Sequence, residues 1–368
     1  MMLAALLVAF SFTPISHAPQ PKAAVLKDKP FFVASMQRIV PFDSLGFNPI
    51  ETATPVIDEA QTRLYLSTHD GVIRCMFRGR QSWFFKMNGG ALAAPILEGE
   101  TLFVAGGDGI VYSLNRFNGA VRWQADLNEE LTTSPTLSEG RLFVMSSGQS
   151  VTALAAKTGK RLWKFHRDPP GGFTIRGDAR PVVANNTVFA GFADGSVVAL
   201  GPADGVAKWS RPVSGVGDYL DIDWIDAPEN DPHIYVASAK AGILALDAAN
   251  GDLVWTFALA GANHVLVDGP RVIAVGRSSL IALGRSNGKP LWKLDLGKDH
   301  YPTQPVIISG LVLVAADRGP LLMVDEKTGE ARGAFEPGSG FSMPVLAVPH
   351  AAYAISNGGA LFTLGLVP

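Results

Sequence analysis

An all-β fold of eight four-stranded antiparallel blades, closed into a propeller, is predicted by three features of this 368-residue sequence. Gly is followed four residues later by Trp six times: Gly79…Trp83, Gly119…Trp123, Gly159…Trp163, Gly205…Trp209, Gly251…Trp255 and Gly288…Trp292. With Gly329 as a seventh copy, the glycine intervals run 40, 40, 46, 46, 37 and 41 residues. A period of about 40 residues marks either propeller blades or helical repeats. The content of each copy decides for blades, because it divides into short runs rich in Val, Leu, Phe and Tyr with turn dipeptides between them.

Taken in chain order, the elements fit this plan. The opening MMLAALLVAFSFTPISHAPQP has an apolar run from Leu3 to Phe12 that ends at Ser16-His17-Ala18, a small-x-small cleavage pattern, although no Lys or Arg precedes Lys22. Residues 1–18 are expected to be a signal peptide, 19–30 a flexible segment, and 31–368 one propeller domain. Seven full copies run from about residue 52 to residue 340. In the second, APILEGETLFVAGGDGIVYSLNRFNGAVRWQADL, Gly-Glu, Asp-Gly and Asn-Gly turns separate four strands. The eighth, MPVLAVPHAAYAISNGGALFTLGLVP, supplies only three strands. FFVASMQRIVP, residues 31–41, is the expected fourth, since pairing the two termini removes an exposed sheet edge. Trp83, Trp123, Trp163, Trp209, Trp255 and Trp292 fall on outer strands and are expected to fill the gaps between blades. The seventh copy has Gly333 where Trp is due, and Trp224 stands outside the pattern.

Composition narrows the function. Lys and Arg total 31 against 33 Asp and Glu, which leaves no excess of positive charge for nucleic acid. Cys75 is the only cysteine, so no intrachain disulfide or CxxC site exists, and it reads as a small buried hydrophobe. Gly284-Arg285-Ser286-Asn287-Gly288 matches a nucleophile elbow in form. It occupies the turn that is Lys-Thr-Gly or Ala-Asn-Gly in sister copies, however, with a strand rather than a helix after it. The histidines are scattered singly, without metal-ligand spacing. Nothing in the sequence names a convergent polar set for a ligand in the channel, and no cofactor or metal is expected.

ALAAKTGKRLW, ALDAANGDLVW and ALGRSNGKPLW resemble the docking repeat of quinoprotein, or PQQ-type, propellers. Quinoprotein alcohol dehydrogenases of that superfamily are longer and carry an adjacent cysteine pair, which one cysteine excludes. The compact eight-bladed branch is the BamB family of outer-membrane β-barrel assembly. There the loop after the third blade has the form Leu-x-Leu-Arg-Gly, and the next long loop carries Asp-x-Asp. This sequence has Phe173-Thr174-Ile175-Arg176-Gly177 and Asp221-Ile222-Asp223 in those places. The resemblance implies a non-catalytic periplasmic scaffold that binds the periplasmic (POTRA) domains of BamA through Phe173, Ile175, Arg176, Asp221 and Asp223. The alternative is a propeller that binds PQQ or another small ligand, with quinoprotein oxidoreductase activity as one form of it. Family members are usually lipoproteins with a cysteine directly after the signal peptide. Ala18-Pro19 occupies that region here, so membrane association is expected through the partner, with the protein itself a monomer.

The two 46-residue intervals both flank the fourth blade. Both excesses are expected between the last strand of one blade and the first of the next, which puts the two insertions side by side on one face. The first carries Arg167, Arg176 and Arg180; the second carries Asp218, Asp221, Asp223, Asp226, Glu229 and Asp231. Arg176 pairing with Asp221 or Asp223 would pin the loops, and Phe173 and Ile175 would add the apolar anchors an interface needs.

Overall fold

Among the described residues there is no helix; short strands with polar turns every few residues sort into eight four-stranded antiparallel sheets. The computed structural model describes residues 31–40, 51–90, 93–131, 133–168, 179–213, 221–297 and 301–366. Both segments expected at residues 1–30 lie outside these. Each sheet is one blade; in seven of them the strands follow sequence order from the channel outwards. Blade one, for example, runs Val56–Ile57, Arg63–Thr68, Val72–Phe77 and Arg80–Lys86. Blade eight is closed by the chain's other end: Phe31–Arg38 pairs antiparallel with Ala360–Leu366, from Phe31 opposite Leu366 to Arg38 opposite Ala360. Ile39 N–H then donates to Gly359 O at 2.8 Å.

Middle strands are covered by neighbouring blades on both faces, so they read as unbroken apolar runs; all of Thr187–Gly191 is buried. Outer strands alternate instead, and in Arg161–His166 only Trp163 is buried. Opposite each repeated Trp stands a small residue, such as Ala153 facing Trp163, Ala199 facing Trp209 and Ala245 facing Trp255. The register slips immediately beyond that pair in every copy, a bulge that turns the outer strand. Cys75 holds this slot opposite Trp83, free and fully buried, and burial pushes its thiol up to about 11.

Each indole reaches into the next blade. Trp83 Nε1–H donates to Arg116 O at 3.0 Å, Trp163 to Pro202 O at 3.1 Å and Trp292 to Glu326 O at 2.9 Å. Trp123, Trp209 and Trp255 repeat the bond with Ala156, Ala248 and Arg285. The ring also lies on the turn glycine of the following copy. A Cβ on Gly205, whose φ is +71°, would stand 2.6 Å from the Trp163 ring. The Gly and Trp of one copy therefore serve different junctions. Where Gly333 replaces Trp, the seven–eight junction is packed by Phe335 against Phe31, Phe341 and Phe362, at centroid separations of 6.2, 6.2 and 5.0 Å. Residues 284–288 form a hairpin turn between Ser279–Gly284 and Pro290–Asp295, with Gly288 under Trp255, so the elbow match is a turn.

Candidate functional site

The described ends of both long connections bracket one turn of blade four, residues 192–195. On one side is Arg167, which follows the outer strand of blade three. Its guanidinium bonds Asp194 at 2.5 Å and Ser210 at 3.0 Å and lies 5.7 Å from the Phe192 ring centroid. Gln149 of blade three adds a bond from Ala193 N–H at 2.7 Å. On the other side Val213 N–H donates to Gly195 O at 2.9 Å, and Ile222 N–H approaches Phe192 O at 3.4 Å. Ile222 is buried against Gly191, where a Cβ would come within 2.4 Å of its side chain, so the glycine makes room for the returning connection.

Phe173, Ile175 and Arg176 lie outside the described residues, as does Asp218. Asp221 is buried at 5% exposure, which makes it a support beneath the second connection rather than part of its outer surface. Asp223 is half-buried; its backbone N–H donates to Ala237 O at 3.0 Å, and its carboxylate accepts from Ala239 N–H at 2.7 Å. That bond braces the turn between the middle strands of blade five.

Part of the predicted charge pattern is corrected. The second excess is shared between the connection at 213–223 and the turn at 227–232, which follows Trp224–Asp226 and so emerges at the opposite face. Glu229 and Asp231 belong to that turn: Glu229 accepts from Asn185 N–H at 3.2 Å, and Asp231 holds Arg285 of blade six at 2.5 and 3.1 Å. Asp226 lies in the strand and accepts from Val267 N–H at 2.7 Å; burial raises its carboxyl, against the lowering pull of that bond and of Arg180. Arg180, expected among the loop charges, turns into the channel.

Sequence reasoning also missed what lines that channel. Strand register aligns eight equivalent positions two residues before the matched pair of each inner strand: Thr54, Ala94, Ser134 and Arg180, then Trp224, His264, Gln304 and Pro344. All eight line a central cavity of about 600 Å³. Blades four to six contribute Arg180, Trp224 and His264 in direct succession. The Arg180 guanidinium carbon is 5.5 Å from the Trp224 ring centroid, and Trp224 and His264 lie 4.9 Å apart at 48°. Burial lowers the His264 imidazole to about 4 and also lowers Arg180 from its usual value. Non-repeating Trp224 was the one available signal.

Blades latched in series by indoles around a single channel define the PQQ-type, or quinoprotein-like, class of eight-bladed propeller. A family profile described as outer membrane protein assembly factor BamB matches residues 69–219 and 221–334. The chain belongs to that family. It is 25% identical to outer membrane protein assembly factor BamB of Yersinia pestis over 307 residues, 78% of each chain. BamB from Moraxella catarrhalis superposes with TM-score 0.79 over 91% of this chain and 100% of its own, at 19% identity. The quinohemoprotein alcohol dehydrogenase of Comamonas testosteroni superposes with TM-score 0.73 at 13% identity, over 92% of this chain and 76% of its own. At such identities both structures speak to the fold alone.

Proposed function

We propose that this chain is a non-catalytic scaffold of the outer-membrane β-barrel assembly machinery. It docks on BamA-type periplasmic domains through the connections flanking blade four. The observation that carries the reading is the pair of anchors on residues 192–195, with Arg167 on one side and Val213 and Ile222 on the other. Two insertions whose ends meet on one turn support a shared docking surface, and membership in the BamB family supplies the partner. In this reading Phe173 and Ile175 contribute burial, Arg176 and Asp223 fix orientation, and Asp221 positions the second loop from beneath. Trp83, Trp123, Trp163, Trp209, Trp255 and Trp292 have the separate role of docking blade on blade. The protein acts in the periplasm after export on its N-terminal segment, as a monomer held at the outer membrane by its partner.

Affinity capture from envelope extracts tests this. BamA should be recovered with the wild-type chain and largely lost with Arg176→Glu; its absence from both captures would refute the assignment. Dehydrogenase activity dependent on calcium and PQQ would instead establish the oxidoreductase alternative.

A further inference from the structure

The polar groups around the central channel are unevenly distributed. Ser134, Arg180, Trp224, His264 and Gln304 come from five successive blades and form one polar arc. Thr54, Ala94 and Pro344 complete the ring with smaller side chains. Repeats need a residue at this position only to start the inner strand, and Ala94 or Pro344 suffices for that. An arginine, an indole and an imidazole in succession are more than the fold requires.

Part of this polar lining is not engaged by the fold. The Arg180 guanidinium forms no hydrogen bond among the described residues; its contacts are the Trp224 ring and the charge of Asp226. Asp226 is already engaged by Val267 N–H. His264 Nδ1 and Thr133 Oγ1 are sealed from solvent without a hydrogen-bond partner, and both residues line the cavity. Arg180 is exposed on the cavity wall, so its N–H groups face the channel and are open to a ligand there.

Chemistry and size together define the ligand. A guanidinium with free N–H groups, set in a partly desolvated wall, selects a carboxylate through its planar fork. Hydroxyls of Thr54 and Ser134 and the amide of Gln304 suit a ligand with several hydroxyl groups. The volume lies in the range of small-molecule sites, which fits a free molecule rather than a protein segment. Trp224 is contacted by Arg180 from blade four and by His264 from blade six, so a planar ring laid flat on it is not what the arrangement serves. We propose that the channel binds a small hydroxycarboxylate, with its carboxylate on Arg180 and its hydroxyls toward Ser134 and Gln304.

Calorimetric titration of the purified chain with glycerate, gluconate and citrate at constant ionic strength, with glycerol and sulfate as controls, tests this. At least one hydroxycarboxylate should bind saturably at millimolar concentration or below. Arg180→Gln should weaken it by roughly 10- to 100-fold, the loss of a charge-assisted hydrogen-bond pair. Gln304→Leu, which leaves Arg180 in place, should weaken it several-fold and keeps the test decisive if the arginine variant is unstable. No saturable binding, equal binding of sulfate or glycerol, or affinity unchanged in both variants would overturn the proposal. None of these results bears on BamA capture, which depends on other residues.

Discussion

Trp163 and Gly205 belong to neighbouring blades, yet the glycine is shaped to the tryptophan: an added Cβ would meet the indole at 2.6 Å. The same turn in blade one, Gly79, has a φ of +76° and open space above it, because no indole reaches it. Gly79→Ala therefore suffers only the left-handed backbone, about 1 kcal/mol. Gly205→Ala suffers that and the clash, and should lose more by about 1–3 kcal/mol in urea unfolding. In a Trp163→Ala background the two glycine substitutions should become similar. If they are already equal in the wild-type background, the stacking has no energetic weight.

Trp163→Ala should cost about 3–5 kcal/mol, the range for deleting a large buried aromatic. Trp163→Phe retains most of the apolar contact but leaves Pro202 O without its donor, and should cost roughly 1–3 kcal/mol. A melting temperature unchanged in both would remove the blade-docking role.

Acid should act through His264. Its folded value of about 4 lies below the ordinary histidine range, so between pH 4 and about 6.5 the unfolded chain binds more protons. This contribution is complete above pH ~6.5 and is lost as pH falls toward 4. Glu51 and Asp226, whose carboxyls burial raises, act in the opposite sense at the lower end, so the test is a difference between two proteins. From pH 7.5 to pH 4.5 the wild type should lose about 2–3 kcal/mol more than His264→Asn. Parallel pH profiles would mean that the imidazole is freely protonated in the fold.

Asp223 separates brace from docking charge. Asp223→Asn keeps an oxygen for Ala239 N–H and should change stability by less than about 0.5 kcal/mol, while weakening BamA binding several-fold. Asp223→Ala should lose about 1 kcal/mol as well. An asparagine variant that binds BamA like wild type would leave Asp223 a structural residue only.

What could be read from the sequence depended on whether one residue type recurs at a fixed spacing. Gly and Trp recur because six of the eight junctions use the same ring on the same turn, and that exposed the blade plan; closure by the strand Phe31–Arg38 followed from the eighth copy having only three strands. The channel positions carry no common residue type: Thr54, Arg180, Trp224 and Pro344 are equivalent only through strand register. Inner strands of two to five residues are too short to show a period. The acidic run from Asp218 to Asp231 looked like one loop because the three-residue strand Trp224–Asp226 inside it has no apolar alternation to reveal it. Neighbourhood of the two connections was legible, since it follows from strand count alone.

The central claim rests on the connections beside blade four. Its most direct test is the dissociation constant of the purified chain for the periplasmic domains of BamA, measured for wild type and for Arg176→Glu with thermal stability as control. Binding by the wild type that falls at least tenfold in the variant, at unchanged stability, is the predicted result. Equal affinity of the two proteins would contradict the account.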